Sequence, residues 1–133
     1  MLNQIHQQHS FLKKQNITIR VCGIANSKNT LLDARGIDLQ TWQQAHAEKG
    51  VPCDLKAMFA WVDEQQLLNP VLVDCTSSQA VADSYLDAMN AGLNVVTPNK
   101  KANTRDFGYY RALRDVALRQ RRQFLYETTV GAG

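Results

Sequence analysis

Residues 70–101, PVLVDCTSSQAVADSYLDAMNAGLNVVTPNKK, contain the pattern from which the fold class can be predicted. Val71–Asp74 begins with apolar residues in succession, as expected for a strand that is covered on both faces in a parallel sheet. Ser77 or Ser78 is placed to cap the helix that follows, and Leu93–Val96 then forms a second apolar run. A strand, a crossover helix and a strand in this order predict a right-handed parallel unit.

The same alternation continues on both sides of this unit. Ile17–Ala25 is rich in β-branched residues and Phe124–Thr128 is a further short run, so each predicts a strand. Helical patterns stand between the strands, with Asp38, Asp54 and Asp106 placed as their caps. We therefore predict an α/β fold, a doubly wound, Rossmann-like three-layer domain in which four parallel strands end at one edge.

Size, composition and charge narrow the class of protein. The 133 residues suit one domain, and 44% hydrophobic with 20% charged residues is ordinary for a globular protein. A formal charge of +3 favours anionic small ligands without requiring nucleic acid. No apolar run predicts a signal peptide or a membrane span. Cys22, Cys53 and Cys75 lack metal-binding spacing, as expected for reduced thiols in a cytoplasmic protein.

The loop after the first predicted strand is a candidate cofactor site, because ligands of such sheets bind at the carboxyl ends of the strands. It consists of Asn26, Ser27 and Lys28. A domain specific for NAD usually carries an acidic residue here for the ribose 2′-hydroxyl, whereas a lysine suits the 2′-phosphate of NADP. The alternative is an ordinary solvated turn, since these residue types are common in turns.

Two further polar loops follow the next two strands. Thr76 and Ser77 stand directly before a helix, where hydroxyl and backbone N–H groups either hold an anion or ribose oxygen or simply cap the helix. In the loop of residues 97–101, the proline and the asparagine can hold Lys100 towards the site. A solvated lysine pair is the alternative for this loop.

The end of the chain, residues 127–133, has the sequence ETTVGAG. A glycine-alternating turn after a strand can bring carbonyl groups together around a cation, with Glu127 supplying negative charge. A flexible terminus is the alternative. The arginine-rich last helix has no interleaved aromatic platform, so we expect no nucleic-acid partner.

Three segments together resemble homoserine dehydrogenase, and most closely the dehydrogenase part of bacterial bifunctional aspartokinase/homoserine dehydrogenases. These segments are VCGIANSK at 21–28, NPVLVDCTSSQAVADSYLDAMNAGLNVVTPNKKANT at 69–104 and FLYETTVGAG at 124–133. The resemblance implies NAD(P)-dependent interconversion of L-homoserine and L-aspartate 4-semialdehyde, on the route to threonine and methionine.

The resemblance also implies roles for individual residues. The implied cofactor-binding residues are Asn26, Ser27, Lys28, Thr76, Ser77 and Lys100. Lys100 is in addition the implied catalytic residue, because the motif brings it to both the cofactor and the reacting centre. The implied ligands of a monovalent cation, usually sodium, are Glu127 and the carbonyl groups of Val130 and Ala132.

This chain also departs from the family pattern. Members have a first strand and a GxGxxG-type loop ahead of the helix that begins here at Met1, and a catalytic segment beyond Gly133. We therefore expect residues 1–133 to be a partial NAD(P)-binding domain that is inactive by itself, from a parent enzyme that forms a homo-oligomer. The alternative is a non-catalytic Rossmann-like module for nucleotide sensing or assembly.

Overall fold

The computed structural model describes residues 1–101 and 107–126, and the chain divides into two compact units, Met1–Asp54 and Leu55–Gly133. The elements of the first unit are α1 (Leu2–Gln7), α2 (His9–Lys14), β1 (Gly23–Ala25), β2 (Asn29–Leu32), α3 (Trp42–Lys49) and β3 (Val51–Pro52). The described elements of the second unit are α4 (Leu55–Glu64), β4 (Val71–Val73), α5 (Gln79–Asp83), α6 (Tyr85–Asn90), β5 (Asn94–Thr97), α7 (Phe107–Gln120) and β6 (Phe124–Tyr126).

A parallel three-stranded sheet, ordered β4-β5-β6, organises the second unit. Leu72 lies opposite Val95, and Val95 lies opposite Phe124 on the next strand. Because the strands run in the same direction, their carboxyl ends meet at one edge of the sheet. Three of the four predicted parallel strands are thereby confirmed over their described residues, namely Val71–Asp74, Leu93–Val96 and Phe124–Thr128.

Helices α6 and α7 pack against each other and against one face of this sheet. Tyr85 and Met89 of α6, Leu113 of α7 and Val95 of β5 are fully buried. The rings of Tyr85 and Phe124 lie 5.7 Å apart, centre to centre. Burial of one such apolar side chain contributes about 1.5–3 kcal/mol, so this layer forms the core of the second unit.

The opposite face of the parallel sheet is apolar but exposed. Val71, Val73, Val96 and Leu125 are between 37% and 53% exposed. The sequence predicts that β4 is covered on both faces, but Val71 and Val73 are exposed. Helices α6 and α7 pack on the other face, which carries Val95.

The first unit contains an antiparallel sheet, ordered β1-β2-β3, and this corrects one prediction. Ile17–Ala25 does not supply a fourth parallel strand. Only Gly23–Ala25 of that run is a strand, and Ile24 lies opposite Leu31 in an antiparallel pair. The β-branched composition correctly indicates extended chain, but the neighbour of the strand is the next segment of the sequence.

The cause of this reversal is the Asn26 side chain. Its Oδ1 accepts hydrogen bonds from the backbone N–H groups of Lys28 and Asn29, at 2.9 and 2.7 Å. The Asn26 N–H donates in turn to the Asn29 carbonyl oxygen, at 3.0 Å. An asparagine with these bonds favours a tight turn, so the chain returns as β2 instead of crossing over through a helix.

The helices begin close to the predicted positions. Helix α4 begins at Leu55, directly after Asp54 as predicted, but α3 begins at Trp42 rather than after Asp38. Asp38 Oδ1 accepts the backbone N–H two residues on, at 2.9 Å, and so forms a turn ahead of the helix. The predicted cap Asp106 lies outside the described residues. In the two described ranges, no helix has the length and apolar content to cross a membrane.

Candidate functional site

The loop after β4 turns back on Asp74, the residue that ends the strand. The backbone N–H and the hydroxyl of Thr76 both donate to Asp74 Oδ1, at 2.8 and 2.7 Å. The Ser78 N–H donates to Thr76 Oγ1 at 3.1 Å, and Ser78 Oγ accepts the Val81 N–H at 3.3 Å. Of the two serines that the sequence offers as a cap, Ser78 is therefore the one that caps α5, while Thr76 and Ser77 are exposed.

The loop after β5 is folded onto the first loop by Asn99. Its side-chain Nδ2 donates to Asp74 Oδ2 at 3.0 Å and to the Ser78 carbonyl oxygen at 3.1 Å. Asn99 Oδ1 accepts the Lys101 N–H at 3.0 Å, and Asn99 itself is buried. Lys100 therefore stands between two bonded residues, with its own side chain exposed. Asn99, which the sequence places to hold Lys100 towards the site, thus bridges the two loops.

Asp74 connects both loops to helix α6 beneath them. The phenol hydroxyl of Tyr85 donates to Asp74 Oδ2 at 2.5 Å and lies 3.0 Å from Thr97 Oγ1. Thr97 Oγ1 donates to the Asp74 carbonyl oxygen at 2.9 Å and accepts the Asn99 N–H at 2.8 Å. We call Asp74, Thr76, Tyr85, Thr97 and Asn99 the Asp74 network. Its members Asp74, Tyr85, Thr97 and Asn99 are at most 5% exposed.

The charge states within the network follow from these bonds. Burial acts to raise the pKa of Asp74, but the hydrogen bonds from Tyr85, Thr76 and Asn99 outweigh it, so the net shift is downwards. The pKa of Tyr85 is raised, mainly by burial and secondly by the hydrogen bond to Asp74. At neutral pH the aspartate is therefore ionised and the tyrosine keeps its proton.

The structure brings together only some of the predicted site residues. Thr76, Ser77 and Lys100 lie on the two joined loops of the second unit. The loop of Asn26, Ser27 and Lys28 lies in the first unit, as the turn between β1 and β2 and not at the end of a parallel strand.

The predicted cation ligands Glu127, Val130 and Ala132 lie outside the described residues. Within 1–101 and 107–126, no group of three or more His, Cys, Asp or Glu side chains is arranged to hold a metal ion.

The first unit also has an open cleft of about 560 Å³ between β2 and α3. Thr30, Asp33, Asp38 and Lys49 are among its lining residues, and none of the predicted cofactor residues is. The cleft is therefore separate from the predicted cofactor residues of its own unit.

Asp74 and Tyr85, at the centre of the network, are not among the site residues that the sequence predicts. A local signal exists for Asp74. An aspartate at the end of a strand often accepts the backbone N–H of the residue two positions later, which here is Thr76. No local signal exists for Tyr85, because its position predicts only an inward side chain on a helix.

Comparison with known sequences identifies close relatives. The model of the homoserine dehydrogenase NAD-binding domain matches residues 1–127. The bifunctional aspartokinase/homoserine dehydrogenase of Haemophilus influenzae is 44% identical over 133 residues, covering 100% of this chain and 16% of the relative. The chloroplastic bifunctional aspartokinase/homoserine dehydrogenase 2 of Arabidopsis thaliana is 42% identical over 135 residues, covering 100% of this chain and 15% of the relative.

Solved structures share the fold. The homoserine dehydrogenase of Thermoplasma acidophilum superposes with a TM-score of 0.65 at 21% identity, over 95% of this chain and 39% of that one. A Candida auris protein of unknown function superposes with a TM-score of 0.74 at 22% identity, over 86% of this chain and 32% of that one. Together with the parallel sheet, these likenesses confirm the predicted Rossmann-like α/β class.

Proposed function

This chain belongs to the homoserine dehydrogenase family, as a match to its NAD-binding domain, and from that membership we propose that it forms the cofactor-binding part of a homoserine dehydrogenase. The parent enzyme interconverts L-homoserine and L-aspartate 4-semialdehyde with NADP or NAD. Residues 1–133 are a partial NAD(P)-binding domain and have no turnover alone. The observation that carries the proposal is the joining of the two loops after β4 and β5 at the carboxyl edge of the sheet.

The donor set on these loops fits a nucleotide cofactor. Hydroxyl and ammonium groups suit ribose and phosphate oxygens, and Thr76, Ser77 and Lys100 present such groups at the surface. The Thr76 hydroxyl already donates its proton to Asp74, so towards a ligand it acts as an acceptor. Ser77 is the hydroxyl donor of the pair in this assignment.

Lys100 is the catalytic residue of the proposal. When bound, the nicotinamide cofactor supplies the acceptor for the hydride that leaves the alcohol carbon. In the oxidation direction the neutral amine of Lys100 takes the hydroxyl proton as the hydride leaves, and the resulting ammonium returns that proton to the oxygen in the reverse direction. Anchoring of Asn99 and Lys101 on either side supports this role, because it limits the positions that the Lys100 backbone can occupy.

The remaining assignments extend this proposal. Lys28, in the turn after β1, favours NADP over NAD through its charge. Glu127 and the carbonyl groups of Val130 and Ala132 hold a sodium ion. The parent enzyme is a cytoplasmic homo-oligomer.

The test is a graft into the Haemophilus influenzae relative, in which residues 1–133 replace the aligned segment of that enzyme. We expect the graft to reduce NADP or NAD in the presence of homoserine, while the isolated chain does not. Aspartokinase activity of the same preparation reports that the rest of the graft is folded. A graft with kinase activity but no dehydrogenase activity contradicts the proposal, and nucleotide binding by the isolated chain in that case favours the sensing module.

A further inference from the structure

We propose that Asp74 is a positioning residue, whose buried carboxylate fixes the loop of Thr76 relative to the loop of Lys100. The inference rests on the proposed function, because it concerns the geometry of that site. Asp74 does not touch the cofactor or substrate in this proposal. It acts through the residues that bond to it.

The two carboxylate oxygens divide their bonds between two parts of the chain. Oδ1 accepts both donors of Thr76, and Oδ2 accepts the side-chain amide of Asn99 and the phenol of Tyr85. One rigid, planar group therefore sets the separation between the loop after β4 and the loop after β5.

The strands themselves do not need this carboxylate. The Asp74 N–H donates to the Val96 carbonyl oxygen at 3.0 Å, and the Asp74 carbonyl oxygen accepts the Thr97 hydroxyl at 2.9 Å. The backbone of Asp74 thus already joins β4 to β5, whereas every side-chain bond goes to a residue beyond the strand ends or to helix α6. This division of bonds indicates a role in the loops rather than in the sheet.

The charge of Asp74 is essential to the arrangement. A buried carboxylate is costly unless its lone pairs are bonded, and hydrogen bonds to an ionised acceptor are stronger than neutral ones. Here the bonds come from a hydroxyl, an N–H, an amide and a phenol, which are all donors. Asparagine has nearly the same volume but only one acceptor oxygen. Its NH₂ group must therefore face either the donors of Thr76 or those of Asn99 and Tyr85, and it cannot accept their hydrogen bonds.

The consequence for Lys100 passes through Asn99. Asn99 holds Asp74 with its Nδ2 and the Lys101 N–H with its Oδ1, so loss of the first bond loosens the residues on both sides of Lys100. A displacement of about 1 Å at a reacting group costs about 100-fold in rate.

The test compares Asp74→Asn with Asp87→Asn, which removes the same charge from an exposed position on α6. In the graft, we expect Asp74→Asn to lower kcat for homoserine oxidation by about 100-fold with aspartokinase activity retained. Asp87→Asn is expected to stay within about 2-fold of the unmutated graft, as is usual for surface substitutions. A rate for Asp74→Asn within that same range overturns the inference.

Amide hydrogen exchange in the 133-residue chain gives a readout that needs no activity. We expect Asp74→Asn to accelerate exchange at the Thr76 and Lys101 N–H groups, while the Val95 N–H, bonded in the sheet to Gln123 at 2.8 Å, stays protected. Equal acceleration at all three amides means that Asp74 only stabilises the fold, and overturns the inference.

A milder variant keeps the test decisive if Asp74→Asn does not fold. Tyr85→Phe removes one donor to Oδ2 and leaves the ring in the core. We expect faster exchange at Thr76 and Lys101 in this variant as well, and unchanged exchange there overturns the inference. If the unmutated graft is inactive, the proposed function fails, and the exchange pattern alone decides the role of Asp74.

Discussion

The side chains of Asp74 and Asn99, 25 residues apart in the chain, bond directly at 3.0 Å between Oδ2 and Nδ2. Each lies just beyond a parallel strand, one after β4 and one after β5. Both are buried, although the loops that they join carry exposed polar residues. The surface chemistry of this edge of the sheet is therefore supported by a buried polar layer.

Acidification is expected to destabilise the chain through Asp74. Its pKa is lower in the folded state than in the unfolded chain, so its stabilising contribution is complete above the unfolded value and disappears as the pH falls through the folded value. The loss begins at about pH 4, where unfolded aspartates take up protons. The free energy of unfolding, measured with denaturant at a series of pH values, is expected to fall more steeply on acidification for the unmutated chain than for Asp74→Asn. Parallel curves contradict the prediction.

Removal of the Tyr85 hydroxyl is expected to destabilise the second unit. Tyr85→Phe leaves the buried carboxylate without one of its donors, which costs about 1–3 kcal/mol in the free energy of unfolding. Tyr110→Phe on α7 is the control, because Tyr110 is half-buried and its hydroxyl accepts a bond from Arg114 at an exposed position. Urea unfolding of both variants is the measurement. Equal stabilities for the two argue against the importance of the Tyr85 bond.

Truncation of a leucine on α7 is expected to lower the free energy of unfolding only where that leucine packs in the core. Leu113 is fully buried, whereas Leu118 is 76% exposed. Leu113→Ala is expected to lower the free energy of unfolding by about 2–5 kcal/mol, through lost burial and a residual cavity. Leu118→Ala is expected to change it by less than about 0.5 kcal/mol. Similar losses in thermal unfolding would show that α7 packs through a different face.

Lys100→Ala in the graft is expected to lower kcat for homoserine oxidation by about 100-fold or more, within the range of general acid–base groups. The matched control is Lys101→Ala, which removes the same charge from the next residue and is expected to cost much less. Thermal unfolding of both variants is measured beside the rates, to show that both are folded. A folded Lys100→Ala enzyme with unchanged kcat and KM removes Lys100 from the site.

Lys28→Glu in the graft is expected to weaken the binding of NADP more than that of NAD, since a carboxylate replaces attraction to the 2′-phosphate with repulsion. Steady-state KM values for the two cofactors are the measurement. Because Lys28 is exposed in the turn after β1, the substitution is not expected to change stability beyond about 0.5 kcal/mol. Equal losses for the two cofactors would show that Lys28 does not contact the phosphate.

The sequence alone determined the class of the second unit and most of its strands. Apolar runs such as Leu93–Val96, separated by a helical pattern, are local signals, and the right-handed crossover rule turns them into a parallel sheet. The positions of Thr76, Ser77 and Lys100 on loops at one edge of the sheet could be predicted as well, because strand direction follows from the connections.

The partner of β1 and the centre of the site depend on contacts that form only in the folded chain. The composition of Ile17–Ala25 favours extended chain whichever way its neighbour runs, and the turn at Asn26 made that neighbour antiparallel. Tyr85 is 11 residues from Asp74, and Asn99 is 25. No local pattern encodes such bonds, because they exist only when strand register and helix packing bring the donors to one buried carboxylate.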